Sequence, residues 1–161
     1  MEYEGTVYRP PSEARSLIIQ VTVGCAHNRC TFCNMYRVKK FRVRTKEEIM
    51  KDLDECRDYY GPYVSRVFFA DGDALVVKTE LLLELLAYVH KNFPYVERIT
   101  SYGTAKDVLA KSEEDLKALA AAGLEMVYIG AESGMSAQIL KFCPFVTKQF
   151  PEPVEYLVTI R

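Results

Sequence analysis

No apolar run in this chain approaches the roughly 20 residues that a helix needs to cross a bilayer, so a membrane partner is not expected. Charge of one sign is missing too. The 21 basic and 22 acidic side chains leave a formal net charge of -1 over 161 residues. That balance removes any overall electrostatic argument for nucleic acid or an anionic surface. The opening Met1-Glu2-Tyr3-Glu4 is acidic and lacks the basic start and apolar block of a signal peptide, so a cytoplasmic protein is the expectation. There is no low-complexity linker, no second Cys-x-x-Cys and no further cysteine triplet. What is present is a hydrophobic fraction of 49%, enough for one globular domain with a core. Five cysteines are an odd number, and three of them, Cys25, Cys30 and Cys33, crowd into one short stretch. A disulfide framework would spread them out, whereas a tight cluster points to metal or redox chemistry.

The apolar patterning alternates between strand and helix. Leu17 to Val23 is rich in β-branched residues and stops at Gly24, which reads as a buried strand leading into the cysteine loop. Thr45 with Glu48 predicts a capping box, followed by a helix with Ile49, Leu53, Cys56 and Tyr60 on one face and an end at Gly61-Pro62. Arg66 to Ala70 predicts the second strand, with Asp71-Gly72-Asp73 as the turn after it. Thr79 is expected to cap a leucine-rich helix whose Leu81, Leu82, Leu85 and Leu86 pack on the sheet. A third strand is expected near Glu97 to Tyr102, ahead of Gly103. Ser112 with Asp115 caps another helix that ends at Gly123, and Glu125 to Gly130 is the fourth strand. Strands recurring at roughly 30-residue intervals with helices between them imply parallel βα units. Periodicity leaves open whether the sheet is flat or curls toward a barrel. A complete barrel takes ~250 residues, so four strands cannot close one. After Gly134 the pattern fades: Met135 to Phe142 reads as a short helix cut off by Pro144, and Tyr156 to Ile160 as one more strand. The free side of the fourth strand would then be an open edge.

Cys25-Ala26-His27-Asn28-Arg29-Cys30-Thr31-Phe32-Cys33 places three soft thiolates on a loop directly after a strand, a donor set suited to zinc or an iron–sulfur cluster. Structural zinc needs a fourth ligand, which would have to be His27, Cys56, His90 or Cys143. Three protein ligands with one open position suit a cluster better.

With that loop in view, Gly24-Cys25…Cys30-Thr31-Phe32-Cys33 resembles the cluster loop of the radical S-adenosylmethionine (SAM) superfamily. The family pattern has three residues between the first two cysteines, and here there are four. Asp71-Gly72-Asp73-Ala74-Leu75 resembles the Gly-Gly-Glu-Pro motif, with Asp71 in place of the first glycine and Asp73 in place of the glutamate. Gly130-Ala131-Glu132-Ser133-Gly134 resembles the Gly-x-Glu-Ser-Gly segment of the branch that includes methylthiotransferases and coproporphyrinogen-type enzymes. All three follow strands, where functional residues of α/β folds collect. The resemblance covers about residues 15–140.

The resemblance implies an α/β fold of parallel βα repeats, a partial (incomplete) TIM barrel of the radical SAM type. It implies an N-terminal extension over 1–14, a radical SAM core of four βα units over 15–142, and an irregular or divergent tail over 143–161. Cys25, Cys30 and Cys33 would hold a [4Fe–4S] cluster whose fourth iron chelates SAM. Reductive cleavage of SAM would give a 5′-deoxyadenosyl radical that abstracts hydrogen from an unknown substrate. Phe32 would lie near the adenine, Gly72 and Asp73 would meet the SAM ammonium, and Glu132 would help hold the amino acid or ribose end. A reductant such as flavodoxin or ferredoxin is implied as partner. A zinc-stabilised α/β binding module, or an inactive fragment keeping the cluster loop, are the alternatives. Ser101 and Tyr102 read as packing or loop residues, His27 as a loop histidine and Cys56 as a core residue. Arg37, Lys39, Lys40, Arg42, Arg44 and Lys46 read as a solvated basic segment. Nucleic acid is left open as their partner and is not favoured.

Overall fold

A computed structural model describes residues 1–29, 33–130 and 155–159. Its main sheet runs in the order β1 (Leu17–Gln20), β4 (Arg66–Ala70), β5 (Arg98–Gly103), β6 (Leu124–Gly130), β7 (Glu155–Thr159). The first four strands are parallel, in registers that pair Gln20 with Ala70, Phe69 with Ser101 and Gly103 with Ile129. This is the expected α/β architecture: four parallel strands with helices between them. Instead of leaving β6 as an open edge, β7 pairs with it antiparallel from Met126↔Thr159 to Gly130↔Glu155. The expected edge is therefore covered by a strand of reversed direction. The helix expected over 135–142 lies outside the described residues.

The stretch expected as one strand over 17–23 divides. Val21 N–H still donates to Ala70 O. Beyond it, β2 (Thr22–Val23) turns aside to pair antiparallel with β3 (Arg42–Val43), the return limb of the cysteine loop. A two-stranded ribbon thus closes the base of that loop.

The helices follow their caps. Before α1 (Lys46–Tyr60), Thr45 Oγ1 accepts Glu48 N–H at 3.3 Å and the Glu48 side chain accepts Thr45 N–H at 2.7 Å; Gly61, at φ +70°, ends the helix. Ile49, Leu53 and Cys56 are buried as expected. Tyr60, expected on the same face, is 55% exposed at the last residue of the helix. In α2 (Thr79–Asn92) the cap is Lys78, and Thr79 is the first helical residue; its hydroxyl accepts from Lys111 Nζ at 3.4 Å. A short helix unanticipated from the sequence, α3 (Ala105–Ala110), is opened by a Thr104/Asp107 capping box. The Ser112/Asp115 box opens α4 (Glu113–Ala121), and Gly123, at φ +102°, follows it.

Alternation along the strands gives the sheet two different faces. Ile19, Val67, Phe69, Ile99, Val127 and Ile129 pack with Leu53, Leu82, Leu85, Leu86, Val89 and Leu119 in the helix-side core. At about 1.5–3 kcal/mol per fully buried large aliphatic side chain, this layer dominates the favourable side of folding. The opposite face carries Phe68, Ala70 and Tyr128, packed with Val7, Ile18, Tyr102 and Met126. Parts of the N-terminal segment reach this side of the molecule, with Glu4 N–H donating to Gln20 Oε1 at 2.9 Å and Ser12 Oγ meeting Tyr128 Oη at 2.8 Å, whereas Met1 meets Glu55 and Cys56 of α1.

Candidate cofactor cleft at the strand ends

The chain segments leaving the C-terminal ends of the strands surround a cleft of about 650 Å³. The loop after β2 contributes Cys25, His27, Arg29, Cys33 and Tyr36. The turn after β4 contributes Gly72 and Asp73, β5 and its extension Tyr102 to Asp107, and β6 Tyr128 to Gly130. Three loops that are far apart in sequence meet here because parallel strands deliver all their ends to one side.

Cys25 and Cys33 are half-buried free thiols on the same wall. Burial pushes the Cys25 thiol up, opposed by hydrogen bonds from the Asn28 and His27 backbone. Cys30 and Phe32 lie outside the described residues, as does Glu132. Asn28, at φ +41°, ties the loop across itself by donating from Nδ2 to Tyr36 O at 2.9 Å. Gly72 is needed for fit. A Cβ there would meet the Tyr36 ring at 2.5 Å and Cys25 Cβ at 3.0 Å, so only a bare backbone lets the loop close on the β4 turn.

Asp73 is 2% exposed, and its Oδ1 is buried without a hydrogen-bond partner. Burial first, and then the neighbouring Asp107, push its carboxyl up to about 8. Asp107 was not anticipated as a site residue. The signal for it was the Thr104-x-x-Asp107 spacing, the same capping-box pattern seen at Thr45 and Ser112. Thr104 N–H donates to Asp107 Oδ2 at 2.9 Å and the Thr104 hydroxyl bonds the same oxygen. Tyr102 lines the cleft while stacking edge-on against Phe68 at 5.0 Å, and Ser101 Oγ donates to Tyr102 O at 2.8 Å. Tyr102 is thus part of the cleft wall as well as a packing residue.

Asp71 does not line the cleft. It is wholly buried beneath the cysteine loop, in an ion pair with Lys39 at 2.6 Å. The basic run after the loop is accordingly solvated only in part: Arg37 and Lys40 are exposed, whereas the Lys39 and Arg44 side chains are buried. Arg44 is buried against Asp52 at 2.6 Å, Arg42 meets Glu48 at 2.7 Å, and Lys46 meets Glu84 at 2.6 Å. Acidic residues of α1 and α2 and of the β4 turn thus pair with Lys39, Arg42, Arg44 and Lys46. Cys56 sits in the helix-side core as expected, with burial pushing its thiol up to about 11.

A wall of thiols, a turn stripped of side chain to admit the cysteine loop, and a buried carboxylate facing the same space form one composite site. Residues 19–151 match the family model of the Radical SAM superfamily. The chain belongs to the radical SAM superfamily. No curated protein and no solved structure matches it. Radical SAM proteins are enzymes that cleave SAM with an iron–sulfur cluster, and the donor chemistry of this cleft fits that pair of groups. Thiolates are the ligands iron–sulfur clusters take, and the orphaned Asp73 Oδ1 matches an ammonium donor such as the one SAM carries. Among the described residues no helix is long and apolar enough to cross a membrane.

Proposed function

We propose that this chain is the core of a radical SAM enzyme, with Cys25, Cys30 and Cys33 holding a [4Fe–4S] cluster in the cleft. The observation that carries this reading is the convergence of Cys25 and Cys33 with Gly72, Asp73 and Asp107 in one cleft of a chain that belongs to the superfamily. When bound, the cluster and SAM supply reductive cleavage of the S–C5′ bond and hydrogen abstraction from substrate. The residues of the chain bind and orient. Asp73, with Asp107 behind it, accepts the SAM ammonium, and occupancy by that cation drives the carboxyl to its ionised form. Gly72 keeps the β4 turn against the cysteine loop. Phe32 borders the adenine, and Glu132 supports the amino acid or ribose end. The aromatic wall of Tyr102 and Tyr128 keeps water from the inner side of the cleft. The segment Gly130 to Gly134 supports placing the chain in the branch that includes methylthiotransferases and coproporphyrinogen-type enzymes. An external one-electron donor such as flavodoxin or ferredoxin completes the system.

Anaerobic reconstitution with iron and sulfide tests the reading. About four irons per chain are expected, lost when all three cysteines become alanine. SAM should perturb the spectrum of the reduced cluster, and 5′-deoxyadenosine should form. Stoichiometric zinc that resists exchange, without iron–sulfur absorption, would sink the proposal.

A further inference from the structure

The three cysteines sit on a loop whose two ends are held by one side chain. At its entry, Gly24 N–H donates to Asp71 Oδ2 at 3.0 Å. At its exit, Lys39 Nζ donates to the same oxygen at 2.6 Å. Gln20 Nε2 adds a third donor to that oxygen at 3.2 Å, and Asp71 N–H is taken up by Thr22 Oγ1 at 3.3 Å. The pair is sealed from water, with the two side chains 7% and 0% exposed.

The surroundings are shaped to the lysine. Its stem passes between two glycines: a Cβ on Gly5 would meet Lys39 Cε at 2.9 Å, and one on Gly24 would meet Lys39 Cβ at 3.2 Å. Both have positive φ, +72° and +73°, where a side chain is strained in any case. The ammonium also lies 5.6 Å from the centroid of the Tyr36 ring, which itself covers Gly72. The Tyr36 hydroxyl is buried beside the Asp71 carboxylate, and burial together with that neighbouring charge holds it protonated. A desolvated pair of this kind tolerates the loss of either partner poorly, because the survivor is left as an uncompensated buried charge.

We propose that Asp71 and Lys39 form a clamp that closes the cysteine loop, and that clamping, in place of any contact with SAM, is the work of Asp71 at a position where the family pattern has glycine. Both are positioning residues: they act on the cluster through Gly24, next to Cys25, and through the limb that follows Cys33. The clamp's effect on a cluster rests on the function proposed above, whereas its effect on the loop does not.

Hydrogen exchange on the full apo chain, as wild type, Lys39→Met, Asp71→Asn and the double variant, separates the two. It is run where all retain the wild-type circular dichroism. Amides in 24–29 and 33–39 are expected to exchange about tenfold faster in each single variant, with α1 and α2 unchanged. The double variant should be no faster than the singles, since the two residues act as one unit. If Asp71→Asn fails to fold, Lys39→Met alone carries the test, because it leaves the β4 turn intact. Loop exchange equal to wild type, or acceleration shared equally with the helices, overturns the clamp. In reconstituted protein, iron release to a chelator should accelerate in parallel while the folded fraction stays constant. Wild type that takes up no iron would defeat the proposed function, with the exchange result still deciding the clamp.

Discussion

Two buried carboxylates, Glu13 and Asp73, receive opposite treatment from the same fold. Glu13 is fully buried beneath the sheet and fully provided for. Arg98 Nη2 lies 2.9 Å away, and the hydroxyls of Tyr128 and Ser16 also donate to it. Asp73 is almost as buried, yet its Oδ1 meets no donor and its neighbour is another carboxylate, Asp107. A satisfied buried acid ties elements together. An unsatisfied one raises the free energy of the folded chain until something cationic enters. The first arrangement belongs to the architecture, where the N-terminal segment is pinned to β5 and β6. The second fits the ligand role proposed for Asp73.

Breaking the satisfied cluster should have the largest effect on stability. Arg98→Met leaves Glu13 buried without its counter-charge, and a loss of about 3 kcal/mol is expected in urea unfolding. A loss well under 1 kcal/mol would erase the distinction between the two acids.

Asp73→Asn should act in the other direction. The carboxyl's folded pKa of about 8 lies above the ordinary value of about 3.9. Between those values the folded state holds a proton that the unfolded chain has released. Wild-type apo protein therefore loses stability as pH rises from about 4 to about 8, with no further loss above. The asparagine variant lacks this slope and should be more stable than wild type at pH 8, by a margin that shrinks as pH falls toward 4. The same variant should bind SAM more weakly when reconstituted. Equal slopes in urea unfolding across that range would show that Asp73 is not held protonated.

The smallest effect sharpens the comparison at matched cost. Thr45→Ala and Thr104→Ala each remove a capping hydroxyl and should each cost about 1 kcal/mol. Only Thr104→Ala should weaken SAM binding by calorimetry, since Thr104 orients Asp107 and Thr45 borders no part of the cleft. Equal SAM affinity in both variants would remove Asp107 from the site.

Much of the fold was legible in the residues. The capping boxes at Thr45 and Ser112, the stops at Gly61 and Gly123, and the β-branched runs of β4 and β6 are local signals, carried by neighbouring residues. The α3 helix was missed because six residues offer too little periodicity, although its Thr104/Asp107 box was present. The break between β1 and β2 was missed because composition is continuous through Val21. The divergence is caused by β3, about twenty residues on, competing for the same backbone. The antiparallel course of β7 was likewise invisible, since a strand's direction depends on where the chain re-enters the sheet.

In the cleft, the thiols, Gly72 and Asp73 were legible as residue types at telling positions. The separation of Asp71 from Asp73 was not. Two aspartates flanking one glycine look equivalent in sequence, but the turn sends one under the loop to Lys39 and the other into the cleft beside Asp107. By itself the sequence determined the α/β repeat and the thiol loop, because helix caps, strand runs and ligand spacing are properties of short stretches. Only the tertiary structure decided which acids are paired, which are left wanting and which basic residues are buried. Those outcomes depend on desolvation and on partners brought together from tens of residues apart.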